Sequence, residues 1–110
     1  MAAAPASEVS ELTPFCPAYR RAFEVLGRRW TGAIVRALLA GATRFTEFTT
    51  LVPGLSDRLL SERLKELEAE GVVERRVDDG RIEYRLTEKG RALAPVVQAV
   101  AEWAEQWASA

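Results

Sequence analysis

Along this chain the spacing of hydrophobic and polar positions changes period, and the changes lay out an order of elements. From Pro17 to Leu26 the apolar residues Tyr19, Phe23 and Leu26 recur at helical spacing, Pro17 suits a first turn, and Gly27 stops the helix. Trp30 to Ala40 repeats the pattern with Trp30, Ile34, Val35, Leu38 and Leu39, ending at Gly41. Thr46 is placed to cap a short helix carrying Phe48, Leu51 and Val52, which Pro53-Gly54 ends. Ser56 then caps a longer helix that runs to about Glu70, with Gly71 as its stop. Beyond Gly71 the period falls to two. Val72-Val73 and Val77 interleave with Glu74 and Arg76, the turn Asp78-Asp79-Gly80 follows, and Ile82, Tyr84 and Leu86 alternate with Glu83 and Arg85, which predicts a β-hairpin. Thr87 and Glu88 open a last helix with the stripe Leu93, Val96, Val97, Val100, Ala104 and Trp107, kinked early by Pro95.

The predicted fold class is mainly α with one small β-hairpin. Helices, a tight helix-turn-helix, a charged hairpin and a long helix follow one another in the chain order of a winged helix, whose second helix of the pair enters the DNA major groove. At about 100° per residue, Leu59, Leu60, Leu64 and Leu67 fall on one side of the Ser56–Glu70 helix. Arg58, Ser61, Glu62 and Lys65 lie opposite, close to helix N–H groups that favour a phosphate. Arg63 projects to the leucine side, so its expected reach is along the protein surface, to a backbone phosphate or an acidic neighbour. A solvated face with pairs such as Arg58–Glu62 is the plainer reading of the same helix.

Length and composition narrow the function. The 110 residues suit one domain, read here as residues 14–110 behind a small, polar and disordered arm at 1–13. With no His and one Cys, the chain cannot build a Cys/His zinc site, a Ser-His-Asp triad or a Cys-His couple, so neither a metal nor a cofactor is expected and an enzyme is disfavoured. No signal-peptide pattern and no apolar run long enough for a membrane span is present, which gives the expectation of a cytoplasmic protein without membrane contact.

Net charge is −1, but unevenly placed: Arg20 to Arg91 holds all 15 basic residues against 12 acidic ones and is +3, while Glu8, Glu11, Glu102 and Glu105 make the ends −4. In the hairpin, Arg75, Arg76, Arg81 and Arg85 are matched by Glu74, Asp78, Asp79 and Glu83, so position must decide rather than net charge. Arg81 stands at the tip, where a narrow minor groove attracts it and Asp78 or Asp79 can orient its guanidinium. Cross-strand charge pairs on an exposed ribbon are the alternative.

Cys16-Pro17, "LGRRWTGAIVRALLAG" from Leu26, "RFTEF" from Arg44, "PGLSDRLLSERLKELEAEGVVERRV" from Pro53 and "RIEYRLTEKG" from Arg81 together resemble the HxlR-type winged-helix transcriptional regulators, relatives of the MarR group. The resemblance covers nearly everything after the arm. It implies a homodimeric repressor or activator on an inverted-repeat operator, with the first and last helices building the dimer through Tyr19, Phe23, Val100, Trp103 and Trp107. It further implies Arg44 and Thr46 near phosphates, Ser56, Arg58, Ser61 and Lys65 in the major groove, and Arg76 and Arg81 in or beside the wing. The departure is Asp78-Asp79-Gly80, where family members often carry a longer, Pro-containing wing loop.

Several members of that family use a Cys at the place of Cys16 to sense oxidants, quinones or aldehydes. A thiol at a helix N-terminus near Arg20 and Arg21 has a physical rationale for reactivity, and a small buried residue at a dimer seam is the other reading. With one thiol per chain, sensing would run through an intersubunit bridge, a mixed disulfide or alkylation by a small electrophile. Trp30, Phe45, Phe48, Trp103 and Trp107 are read either as core and interface packing or as the lining of an effector pocket between subunits. The partners expected are therefore double-stranded DNA, a second copy of the chain and a small electrophile or oxidant. The rival reading is a winged-helix module that binds another protein and no DNA, which the near-neutral charge favours.

Overall fold

The structure, a computed structural model, describes residues 16–108; the arm expected at residues 1–13 lies outside the described residues. Helix α1 spans Pro17–Leu26, and Cys16 precedes it with extended backbone while its carbonyl accepts the N–H of Arg20 at 3.0 Å. Helix α2 spans Thr31–Leu39 and buries Thr31, Ile34, Val35, Ala37 and Leu38. Trp30 is not its first turn, as the periodicity suggested, but its N-cap, held in the left-handed region at φ 76°.

Helix α3 spans Phe45–Leu51 and corrects a second expectation: Arg44 is the N-cap, and Thr46 lies inside the helix. A Thr hydroxyl is not needed at the boundary because the Glu47 carboxylate folds back and accepts the N–H groups of Thr43 at 2.8 Å and Arg44 at 2.9 Å. Helix α4 spans Asp57–Ala69 and begins as its sequence predicts, with Ser56 Oγ accepting the N–H of Leu59 at 3.1 Å. It ends at Gly71, where φ is 78° and Val72 N–H reaches back to the Leu67 carbonyl at 2.9 Å.

Strands β1 (Val73–Asp78) and β2 (Arg81–Leu86) pair antiparallel, with Val73 opposite Leu86 and Asp78 opposite Arg81. The turn has two residues, Asp79 at φ 53° and Gly80 at φ 77°, the positive angles of the hairpin turn that matches strand twist. Thr43 adds one bond beside the sheet, its carbonyl accepting the N–H of Tyr84 at 2.8 Å. The chain then forms two helices where one kinked helix was expected: α5 (Glu88–Arg91), capped by Thr87 Oγ1 on Gly90 N–H at 3.1 Å, and α6 (Ala94–Trp107). Pro95 sits in the first turn of α6, the one place in a helix where its missing N–H and fixed φ cost nothing.

The core gathers Ile34 and Val35 from α2, Phe48 from α3, Leu60, Leu64 and Leu67 from α4 and Val73 from β1, all essentially solvent-free. Each such side chain contributes roughly 1.5–3 kcal/mol on burial, which is what holds α4 against the body. Neither α1 nor α6 buries a residue among those described. The single apolar stripe read for the last helix divides in two: Leu93 and Val97 pack on the core, whereas Val96, Val100, Trp103 and Trp107, spaced 4, 3 and 4 apart, are exposed. The aromatics separate likewise, since Phe48 is core, Trp30 and Phe45 pack against it, and Trp103 and Trp107 face solvent. No helix among the described residues is long and apolar enough to cross a membrane.

Candidate nucleic-acid interface

Helices α3 and α4, joined by a turn in which Gly54 takes φ 89°, present one continuous surface outside the core. Leu60, Leu64 and Leu67 anchor α4 inward, and the helical period then turns Arg58, Glu62 and Lys65 outward with Ser61 half-buried between them. Ser56 is exposed, but its hydroxyl oxygen is engaged by the cap, so what it offers a phosphate is the open first turn rather than a free acceptor.

Arg58 is 89% exposed and pairs with Glu62 at 3.2 Å. A pair that open to water is worth at most about 1 kcal/mol, so a phosphate can take the guanidinium from it. Lys65 has no ion-pair partner among the described residues, and its exposed side chain lies two turns along the same face.

Arg44 and Thr46 are both exposed at the start of α3. Beside them Glu47 stays ionised: the N–H groups of Thr43 and Arg44 hold its carboxyl below the usual carboxylate range, with the Thr43 backbone bond contributing most. That carboxylate is aimed back at the backbone, which limits its repulsion of an anion near Arg44.

Arg63 departs from the DNA-contact group. Its side chain is 8% exposed, Nε donates to the Arg29 carbonyl at 2.9 Å, and the guanidinium pairs with Glu66 at 3.2 Å. Of the two reaches expected for it, the acidic neighbour is the one formed, and Nε and Nη1 are both engaged within the protein.

The hairpin also differs from its expected charge pattern. Register places Glu74 opposite Arg85 and Arg76 opposite Glu83, yet the ion pairs run along each strand, Arg76 to Glu74 at 2.9 Å and Arg85 to Glu83 at 3.2 Å. Arg81 forms no ion pair among the described residues, with neither Asp78 nor Asp79, so the expected orienting contact is not made. Arg75, the remaining hairpin arginine, forms no ion pair among the described residues. It is exposed on the face shared by Val77, Ile82 and Tyr84, which its odd position in the strand alternation sets.

Residues 25–110 match the family described as HxlR-like helix-turn-helix. The chain belongs to that family. This HxlR-like protein is 50% identical over 95 residues to YvaP of Bacillus subtilis, an uncharacterised HTH-type transcriptional regulator, covering 84% of the chain and 88% of YvaP. It is 45% identical over 95 residues to the HTH-type transcriptional regulator YodB of the same organism, covering 84% of the chain and 85% of YodB. The reduced form of YodB superposes with a TM-score of 0.76 at 44% identity, over 86% of this chain and 96% of that one. The redox regulator HypR in its reduced form gives a TM-score of 0.78 at 36% identity, over 84% and 94% of the two chains. YodB has also been solved diamide-treated and quinone-bound. The HxlR-like chain is thus a transcriptional regulator of the helix-turn-helix type with a winged-helix fold, and its relatives are regulators rather than enzymes.

Cys16 lies at the N-cap of α1, half-buried. Of the two arginines expected near it, Arg21 is engaged elsewhere, paired with Glu24 at 3.7 Å and with Glu70, the C-cap of α4. Among the described residues no group of three or more His, Cys, Asp and Glu side chains is placed to hold a metal ion.

Proposed function

We propose that two copies of this regulator bind an inverted-repeat operator, each laying the outer face of α4 in a major groove, with half-sites about one helical turn, roughly 34 Å, apart. One observation carries the reading: the leucine-backed helix of the helix-turn-helix leaves Arg58 and Lys65 exposed and Ser61 half-exposed on the side away from the core. Arg44 and Thr46 supply backbone contacts, and Arg76 and Arg81 of the two-residue-turn wing contact the flanking backbone rather than the floor of the minor groove. Arg63 has no part in the DNA contact.

Dimerisation runs through the exposed faces of α1 and α6, with Tyr19, Phe23, Val100, Trp103 and Trp107, and the protein acts in the cytoplasm. The relatives support redox control: YodB is known in diamide-treated and quinone-bound forms, and HypR is a redox regulator. In this chain Cys16 is the group for it. Two Cys16 thiols from two protomers form one disulfide and give two protons and two electrons to an oxidant; alternatively one thiol adds to a quinone carbon and its proton passes to the quinone oxygen.

The test is binding to a duplex selected by the wild-type protein from a random pool. Arg58→Ala and Lys65→Ala are expected each to lower affinity and to reduce the slope of log K against log salt by about 1. A wild-type response flat in salt would remove phosphate neutralisation and leave the protein-binding module in its place.

A further inference from the structure

The core face of α4 carries one charged side chain among its leucines. Leu60, Leu64 and Leu67 are non-directional contacts: an apolar side chain tolerates a small rotation or slide of its helix because area, not angle, sets its energy. Arg63 is directional. Its Nε donates to the carbonyl of Arg29 at 2.9 Å, in the linker between α1 and α2, and its Nη1 reaches Glu66 Oε2 at 3.2 Å. Glu66 in turn receives Arg28 of the same linker at 3.5 Å. The linker therefore holds the middle of α4 from both its backbone and its side chain.

The same linker also reaches the start of α4. Trp30 has left-handed backbone, its indole Nε1 is buried without a hydrogen-bond partner among the described residues, and its ring edge would lie 3.4 Å from a Cβ placed on Gly54, the glycine of the helix-turn-helix turn. The Arg29 guanidinium covers the indole from 5.4 Å. Left-handed backbone on a bulky residue and an unmet buried N–H are both costly, and such costs persist where the surroundings demand the geometry. Residues 28–30 thus bracket α4 at its turn and at its centre, and Arg21 of α1 adds a third tie at Glu70.

Resting on the DNA-binding reading above, we propose that Arg63 is a positioning residue: through the Arg29 carbonyl and Glu66 it sets the rotation of α4 about its own axis, and so the aim of Arg58, Ser61 and Lys65. The geometric leverage is short. With side-chain tips about 5–6 Å from the axis, a rotation of about 10° moves them by about 1 Å, enough to disturb a bidentate base contact but not a salt-bridged phosphate. Arg63 therefore governs how well the protein distinguishes its operator from other sequences, while leaving the number of phosphates neutralised unchanged. Removing one partner of a buried ion pair is costly when the other is left unpaired in the interior, but Glu66 is 38% exposed and keeps Arg28 as a partner when Arg63 is replaced by an apolar residue of similar length.

The experiment compares wild type, Arg63→Met, Arg63→Lys and Glu66→Gln on two labelled duplexes, one selected from a random pool by the wild-type protein and one of scrambled sequence, across a salt series, with thermal unfolding run alongside. Arg63→Met is expected to remain folded, to lose about tenfold in the ratio of selected to scrambled affinity, and to keep the wild-type salt slope. Arg63→Lys, which keeps the charge and can meet only one of the two acceptors, is expected to fall between, and Glu66→Gln to lose part of the same ratio. A merely structural role would lower the unfolding temperature and leave the ratio of the folded protein untouched. A folded Arg63→Met with the wild-type ratio overturns the proposal, as does a salt slope reduced by about 1, which would mean direct phosphate contact. If Arg63→Met fails to fold, Arg63→Lys and Glu66→Gln decide by the same criteria. Wild-type protein that binds neither duplex overturns the DNA-binding reading itself, an outcome distinct from a variant that matches wild type.

Discussion

Gly90, in the short helix α5, lies so close against the carbonyl of Val72 that a Cβ would overlap that oxygen and press on Leu86 Cδ2. The contact is backbone to backbone, so no rotamer change can relieve it. It seats α5 where the loop after α4 meets the end of β2, and there Thr87 N–H donates to Val72 O at 3.0 Å and Arg91 donates to Leu86 O at 3.0 Å. α6 is launched from this joint.

Gly90→Ala is therefore expected to destabilise the fold by about 1–3 kcal/mol, through overpacking against an immovable neighbour. Urea unfolding at neutral pH measures it. An alanine variant as stable as wild type would show that α5 can lift from Val72 without cost.

The Glu47 cap makes stability depend on pH in a defined direction. Its folded carboxyl titrates below the normal value because the ionised form receives the N–H groups of Thr43 and Arg44. A lowered folded value means that the stabilisation is present at neutral pH, above the unfolded carboxylate's titration, and is lost as pH falls through the folded one. Glu47→Gln is expected to be less stable at pH 7 and to show a shallower loss on acidification than wild type, as read from unfolding midpoints between pH 7 and 3.

The exposed stripe of α6 predicts the assembly state. Trp103 is 66% and Trp107 68% exposed, and Phe23 of α1, stacked edge-to-face on Tyr19 with ring centroids 5.0 Å apart, is 62% exposed. Each aromatic covered from water contributes roughly 1.5–3 kcal/mol, so in the dimer proposed above these rings are the anchors of the contact. Trp103→Glu is expected to shift the protein from dimer to monomer in sedimentation and to weaken operator binding at least tenfold, because a monomer engages one half-site. A wild-type protein that sediments as a monomer at micromolar concentration contradicts the assembly.

Cys16 supplies the last prediction. Diamide treatment is expected to give a dimer band on a non-reducing gel, absent in Cys16→Ser and reversed by reductant, and a quinone is expected to add its own mass to wild type alone. No band and no added mass would remove the thiol from the regulatory mechanism, while leaving the DNA-binding reading intact.

Much of this molecule was legible from residue order. The Ser56 cap, the stops at Gly27 and Gly71, the strand alternation and the polar flank of α4 are local properties, set by neighbours within one helical turn or one strand repeat. Period alone could not tell the two apolar faces of α6 apart, since Leu93 and Val97 differ from Val96 and Val100 only in what each meets.

Local chemistry also put the boundary of α3 at Thr46, whereas the Glu47 carboxylate, reaching back across four residues, moved it to Arg44. Arg63 shows the division most sharply. Helical projection placed it on the leucine side, which is where it lies, but the carbonyl that receives its Nε belongs to Arg29, 34 residues earlier. One-dimensional order determined the apolar and polar faces of the elements, though not which half of the apolar stripe of α6 meets the core. Folding in three dimensions decided what each inward group would touch, because directional bonds between distant residues exist only once the core has brought their elements together.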